Sequence, residues 1–269
     1  YRMNEKFKLI HEDMSIQIYS DEHFDNKQMI SRTKAYREDE PFTLNWIKSF
    51  ESSDNQKCIF YDVGANIGGF SFIASMMHKN VEAFAFEPNY LNFYSALKTC
   101  QINNIENVHP INVAINDKNE FNYFLYDNVS NGSKGNFGTK LKKQMLKSEF
   151  SNPFKRTIEH KSGILGVSLD SLVYDYGLPK PNYIKIDVDG NEKLVLQGAK
   201  KLLQEDCIKG VALEVDNKIY PKKFKDKNSR KMKNYFNLVM SENNFILKEE
   251  VLTDDKKTSV TMNFYSKKL

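Results

Sequence analysis

The stretch IFYDVGANIGGF, residues 59–70, decides how the chain is read. Ile59, Phe60, Tyr61 and Val63 form an apolar run with one acid, Asp62, near its end. Gly64, Gly68 and Gly69 then punctuate the chain, and apolar residues resume at helical spacing, which is the pattern of a strand, a tight turn and a helix. Such a unit sets bare backbone and helix N–H groups at the carboxyl edge of a sheet, where open α/β folds bind ligands.

The same rhythm continues on the C-terminal side. The spacing predicts a strand at 59–63, a helix at about 68–78, a strand at 82–86, a helix at about 90–101 and a strand at 108–115. This βαβαβ series requires a parallel sheet with right-handed crossovers. EFNYFLYD at 120–127 alternates like an edge strand or hairpin arm. Residues 127–163, rich in Ser, Asn, Gly and Lys, break the rhythm and read as a long loop or lid with a short helix near 138–149. Alternation returns in YIKIDVDG, 183–190, followed by a helix from about Glu192 to Leu203, a strand at 210–215 and a helix at about 228–242. The final strands, FILKEEV and SVTMNFYS, read as an antiparallel pair that closes the sheet. Upstream, residues 7–18 alternate in two short pieces and 40–50 have helical spacing. The chain therefore divides into a 1–50 segment packed on a 51–269 domain, with a lid insertion at about 127–163.

Composition narrows the classes. Forty per cent apolar residues suffice for a core, and 39 Lys and Arg against 35 Asp and Glu leave too small an excess to argue for nucleic acid or an anionic membrane. No apolar run is long enough to span a bilayer, and the first residues lack the apolar core of a signal peptide. Cys58, Cys100 and Cys207 are an odd number without CxxC spacing, which argues against a disulfide framework or a zinc site and suits the cytoplasm. A start at Tyr1 suggests a trimmed chain or a piece of a longer protein.

The glycine turn points to a cofactor. A dinucleotide fingerprint needs a small second glycine beside the pyrophosphate, and here that position is Asn66. Glu87 ends the second strand 19 positions after Gly68, where a carboxylate accepts both hydroxyls of an unphosphorylated ribose. Asp62 adds negative charge suited to an ammonium and a sulfonium. Together these features favour S-adenosyl-L-methionine. The competing account is a purely structural turn, with Glu87 capping the next helix.

FYDVGANIGGFS, FEPN, VAINDKNE, VSLDSLVYDYG, YIKIDVDGNEKLVLQGA and VALEV, in this order, resemble the FkbM family of S-adenosylmethionine-dependent methyltransferases over roughly residues 40–250. The resemblance implies a Rossmann-like, seven-stranded, mostly parallel class I methyltransferase sheet with an antiparallel closing strand, and methylation of a hydroxyl oxygen, commonly on a sugar or a polyketide-type product. It implies cofactor contacts from Asp62, Gly64, Ala65, Asn66 and Gly68, ribose contacts from Glu87 and adenine contacts near Val113 and Ala114; Pro88 and Asp187 are further candidate cofactor contacts. Asp189 and Asn191 stand where the family usually has Glu and a small residue.

Within YIKIDVDG, Ile184, Ile186 and Val188 fall on one face and Lys185, Asp187 and Asp189 on the other or at the strand's open end. Charges on a central strand need partners, so Lys185 and Asp187 are expected to pair. A hydroxyl acceptor needs a proton acceptor within hydrogen-bond reach. Asp187 is the first candidate as base or orienting group, with Lys185 setting its ionisation; Asp189 and Glu192 come second, and His160 is a candidate base on the lid. The alternative is that Asp187 and Asp189 only cap the next helix. Asp187, Asp216 and Asn217 also resemble the magnesium site of catechol-type methyltransferases, a metal-assisted alternative; no metal is assigned. No DPPY-like tetrad follows this strand, which argues against amino-group acceptors. The basic run 221–233 lacks the interleaved aromatics of an RNA-stacking surface and reads as a solvated helix face. The expected partner is a hydroxyl-bearing small molecule or glycan, without nucleic acid; a non-catalytic nucleoside-binding module is the remaining alternative.

Overall fold

The computed structural model describes residues 8–11, 14–20, 29, 32–36, 40–51, 56–126, 135–138, 160–216, 227–253 and 260–268. Its centre is β3 (Cys58–Val63), a strand buried along its whole length, as a central parallel strand covered on both faces must be. On one side lie β4 (Val81–Phe86) and β5 (Val108–Ile111), and on the other β10 (Tyr183–Ile186) and β11 (Gly210–Asp216), all parallel. β13 (Val260–Lys267) pairs antiparallel with β11 and with the edge strand β12 (Phe245–Leu252). The order β12-β13-β11-β10-β3-β4-β5 is the expected mostly parallel, seven-stranded α/β sheet with an antiparallel strand near its end. The chain runs outward from β3 in both directions, so the switch point lies between β3 and β10, and a crevice opens there beyond their carboxyl ends.

α2 (Gly69–Met77) and α3 (Tyr90–Asn103) are the crossover helices of the first half. Asn89 caps α3, its side chain accepting from the Leu91 N–H at 3.0 Å, and Asn104 ends it in the left-handed region. α4 (Leu169–Tyr174) precedes β10, α5 (Glu192–Gln197) follows it, and α6 (Lys227–Glu242) comes before β12.

Three elements differ from the sequence reading. The strand expected over 108–115 is two strands: β5 ends at Ile111, and Ala114–Ile115, β6, joins a second sheet. Pro110 fits because β5 is an edge strand that does not need its N–H in a ladder. The strand expected over 183–190 ends at Ile186, because Asp189 (φ 51°) and Gly190 (φ 101°) turn the backbone. The helix expected to reach Leu203 stops at Gln197. Gly198 follows, where a Cβ would lie 2.1 Å from the Asn116 carbonyl oxygen, and a short 3-10 turn takes over at Leu202–Gln204.

The second sheet, β6-β9-β7-β8, contains β7 (Glu120–Tyr126), β8 (Gly135–Phe137) and β9 (His160–Val167). It takes in residues 135–137 and 160–163 of the stretch read as a lid; of the helix expected near 138–149 only Gly138 is described, and 127–134 and 139–159 lie outside the described residues.

The N-terminal segment supplies the β1–β2 hairpin (Lys8–His11 and Met14–Gln17) and α1 (Pro41–Lys48). Leu9, Ile16, Ile18, Met29, Ile47 and Phe50 share one core with Phe60 of β3, Ile67 of the glycine turn and Phe72 of α2. Phe50 stacks on Tyr183 of β10 at 3.9 Å, and Trp46 meets Phe60, Tyr183 and Phe264. Phe50→Ala should therefore destabilise the whole chain by about 3–5 kcal/mol, as truncation of a buried Phe does; an unmoved urea midpoint would show that the segment is peripheral.

Candidate active site

At the carboxyl ends of β3, β4 and β10 lies a cleft, partly open to solvent, that encloses about 820 Å³ when its open part is included. Gly64, Ala65 and Asn66 line it from the glycine turn, Glu87 and Pro88 from the end of β4, Ala114 and Ile115 from β6, and Lys185, Asp187 and Asp189 from the end of β10. Arg32, Tyr36 and Glu40 come from the N-terminal segment, and Phe124 and Phe137 from the second sheet.

Gly64 has φ 83°, and a Cβ on it would lie 1.8 Å from the Asp187 carbonyl oxygen. No side chain fits there, so the glycine turn and the DVDG turn lie backbone against backbone. Within the glycine turn every N–H from 64 to 68 already has an acceptor. Gly64 and Ala65 donate to the Phe86 carbonyl, both at 3.0 Å, and Gly68 to Ala65 at 2.8 Å. Asn66 donates to Glu87 Oε2 at 2.8 Å, and Ile67 to Asn66 Oδ1 at 3.0 Å. A pyrophosphate is held by free backbone N–H groups. This turn offers none, in agreement with the side chain at Asn66.

Glu87 is 7% exposed. Its Oε1 accepts from the Asn89 N–H at 2.8 Å and faces the Asn92 amide at 3.5 Å. Burial pushes its pKa up to about 7, against the pull of the Asn89 and Asn66 N–H groups, while the Asp189 charge pushes it further up. Oε2, with the Asn66 N–H as its one donor, keeps a lone pair for a further donor, whereas Oε1 already faces two.

Lys185 is 1% exposed on a central strand, and its Nζ donates to Asp187 Oδ2 at 2.9 Å, the pairing expected from the sequence. Burial pulls the ammonium's pKa down, but Asp187, Asp62 and Glu40 outweigh it and raise it well above the ordinary lysine value. The ammonium also lies 4.9 Å from the centre of the Phe70 ring. Asp62, opposite Lys185 in register, is fully buried behind the cleft rather than lining it. Its Oδ2 accepts from Ser71 Oγ at 2.8 Å, while Oδ1 has no partner among the described residues. Burial raises its pKa; Lys185 and Ser71 oppose the rise and Asp187 adds to it. Glu192, 3% exposed, receives the Gly190 N–H at 2.8 Å and braces the DVDG turn; burial pushes its pKa up to about 7.

Not every expected residue reaches the cleft. Gly68 caps α2 at φ 82°, and Val113 packs against the main core beside Ala114. His160, read as a lid residue, opens strand β9 opposite Tyr126; it is exposed and does not line the cleft, because the strand register directs it there. Asn217 and the side chain of Asp216 lie outside the described residues, among which no group of three or more His, Cys, Asp or Glu is arranged to hold a metal. Arg32, Tyr36, Phe124 and Phe137 were not foreseen. The helical spacing of 40–50 gives no sign that Glu40 reaches the cleft.

The seven-stranded, mostly parallel strand order and the switch-point cleft are those of a class I methyltransferase fold. A family model, the methyltransferase FkbM domain, matches residues 62–247, and the chain belongs to that family. S-adenosylmethionine is its cofactor, and the saturated turn, Glu87 and the acidic cleft fit it. Solved structures similar to this chain include a methyltransferase FkbM from Methylobacillus flagellatus KT, 14% identical, covering 89% of this chain and 56% of that one at a TM-score of 0.49. Others are a precorrin-6y C5,15-methyltransferase from Geobacter metallireducens GS-15 (11% identity, 97% of each chain, TM-score 0.45) and a magnesium protoporphyrin IX methyltransferase from Synechocystis PCC 6803 with bound SAM (8% identity, 92% of this chain and 87% of that one, TM-score 0.48). No curated protein matches the sequence. Among the described residues no helix is long and apolar enough to cross a membrane.

The raised Glu87 pKa gives a sign for pH dependence. A positively charged cofactor that donates ribose hydroxyls prefers the carboxylate, so binding should release a proton and affinity should fall as pH drops from about 7 toward 5. In the unliganded chain the same raised pKa works the other way on folding, which loses stability as pH rises from about 4.5 to 7. Glu87→Gln should weaken S-adenosylmethionine binding by roughly 1.5–3 kcal/mol and abolish the proton release. Calorimetry in buffers of different ionisation enthalpy reads both; pH-independent affinity with an unaltered variant would refute the ribose role.

Proposed function

We propose that the chain is an O-methyltransferase that transfers a methyl group to a hydroxyl of a sugar or glycan precursor, with Asp187 as the group that receives or orients that hydroxyl. The observation that carries this reading is the Lys185–Asp187 pair: a carboxylate held at 2.9 Å by a buried ammonium, retaining 22% exposure at the mouth of the cleft. The cofactor supplies a methyl carbon activated by a positively charged sulfur. The protein's part is alignment, worth several kcal/mol of the barrier, and an acceptor for the hydroxyl proton.

The turn Asp187-Val188-Asp189-Gly190 supports an oxygen acceptor, because it lacks the Pro-Pro-aromatic tetrad expected for an amino nitrogen. Asp189 and Glu192 stand beside Asp187 as secondary acids. In this reading the 1–50 segment and the 127–163 insertion form the acceptor side of a 51–269 domain, the basic run 221–233 is a solvated face, nucleic acid is not the acceptor, and the enzyme works in the cytoplasm.

The test is methyl transfer from tritiated S-adenosylmethionine to a panel of methyl glycosides and polyketide-type alcohols, with tRNA and rRNA fragments alongside. Label in a base-stable ether is expected; label in the RNA would contradict the reading. Asp187→Asn should spare S-adenosylhomocysteine binding and lower kcat by about 10²-fold, the scale of a lost positioning contact. Undiminished turnover would exclude Asp187 from the chemistry.

A further inference from the structure

The segment ahead of the family match contributes its own carboxylate to this cleft. Glu40, at the start of α1, lines the cleft with Lys185 and Asp187, and its Oε2 accepts from Thr43 Oγ1 at 3.2 Å. Three carboxylates thus surround one buried ammonium, and they are held differently. Asp187 has the hydrogen bond to Nζ. Asp62 is sealed behind the cleft on Ser71. Glu40 lines the cleft, and its hydrogen bond goes to a neutral hydroxyl.

The charged groups that face Glu40 are Lys185 and Asp187 from β10 and its following turn and Arg32 from the helical turn at 32–36. Burial raises its pKa, Lys185 lowers it, Asp187 raises it again, and Thr43 and Arg32 lower it. A pair of carboxylates whose surroundings differ in this way divides naturally into a base and an anion that stays charged.

We infer that Glu40 is the catalytic base that takes the acceptor's hydroxyl proton, while Asp187, tied to Lys185, is the group that positions the hydroxyl. This rests on the O-methyltransferase reading. In the step, the acceptor oxygen forms a bond to the methyl carbon as the carbon–sulfur bond breaks. The bonding pair stays on sulfur, giving a neutral thioether, and the proton passes to the Glu40 carboxylate, so one positive and one negative charge are consumed together.

The first test needs no acceptor. The chain is labelled with ¹³C at Glu and Asp carboxyls, loaded with S-adenosylhomocysteine and titrated by NMR, with E40Q and D187N giving the assignments. Glu40 should take its proton above the ordinary glutamate range; a Glu40 carboxyl that titrates within or below that range would overturn the inference. The second test is the pH dependence of transfer to the methyl glycosides. D187N should lower kcat and keep the acid limb of the profile. E40Q, which retains an acceptor for Thr43, should lose that limb and about 10²–10⁴ in kcat while binding S-adenosylhomocysteine as the wild type does. An E40Q chain with the limb and kcat intact, or one that loses cofactor binding and stability together, would overturn the base role alone. A wild-type chain that labels no hydroxyl would overturn the O-methyltransferase reading, and this inference with it.

Discussion

Two backbones meet at Gly64 and Asp187, and the site depends on that contact. A methyl group's worth of extra volume at position 64 would sit 1.8 Å from a carbonyl oxygen. The contact is reinforced by the Asp187 N–H donating to Val63 at 3.0 Å and the Gly64 N–H donating to Phe86 at 3.0 Å, so the ends of β10, β3 and β4 are tied in sequence. The glycine turn and the DVDG turn, assigned above to the cofactor and to the acceptor in the proposed function, thereby become one rigid edge. Rigid placement is what methyl transfer needs, since alignment supplies much of its acceleration.

Behind that edge lies a charged cluster inside a hydrophobic fold. An ammonium at 1% exposure is tolerable only when paired, and Lys185 has carboxylates from three separate elements: β3, the turn after β10, and the N-terminal segment. The arrangement explains why the segment packs where it does. Tyr36 lies so close over α2 that a Cβ at Gly69 would fall 2.2 Å from its ring, and Glu40 follows four residues later. The second glycine of the GG pair thus makes room for the segment that completes the cleft.

Much of this was legible in the sequence because the signals were local. DVG and its apolar strand, Glu87 at the next strand end and the alternation of YIKI each obey a short period, and the structure has them at those places in the sheet. The break at Ile111 was not legible: alternation ran through VHPINVAI although the chain leaves one sheet and enters another at Asn112 and Val113. The DVDG turn was hidden for a similar reason, since only the positive φ at Asp189 reveals that the strand has ended. Arg32, Tyr36 and Glu40 reach the cleft by tertiary packing across the sheet, and no periodicity in residues 20–40 records it. Phe124 and Phe137 depend on a second sheet whose strands are separated by a long insertion.

The most direct measurement is a crystal structure of the chain with S-adenosylhomocysteine bound. The account requires the ribose hydroxyls on Glu87, the adenine beside Ala114, and the sulfur facing the side of the cleft that carries Asp187 and Glu40. A ligand whose ribose lies away from Glu87, or whose sulfur points away from that pair, would contradict the joining of cofactor turn and acid cluster into one site.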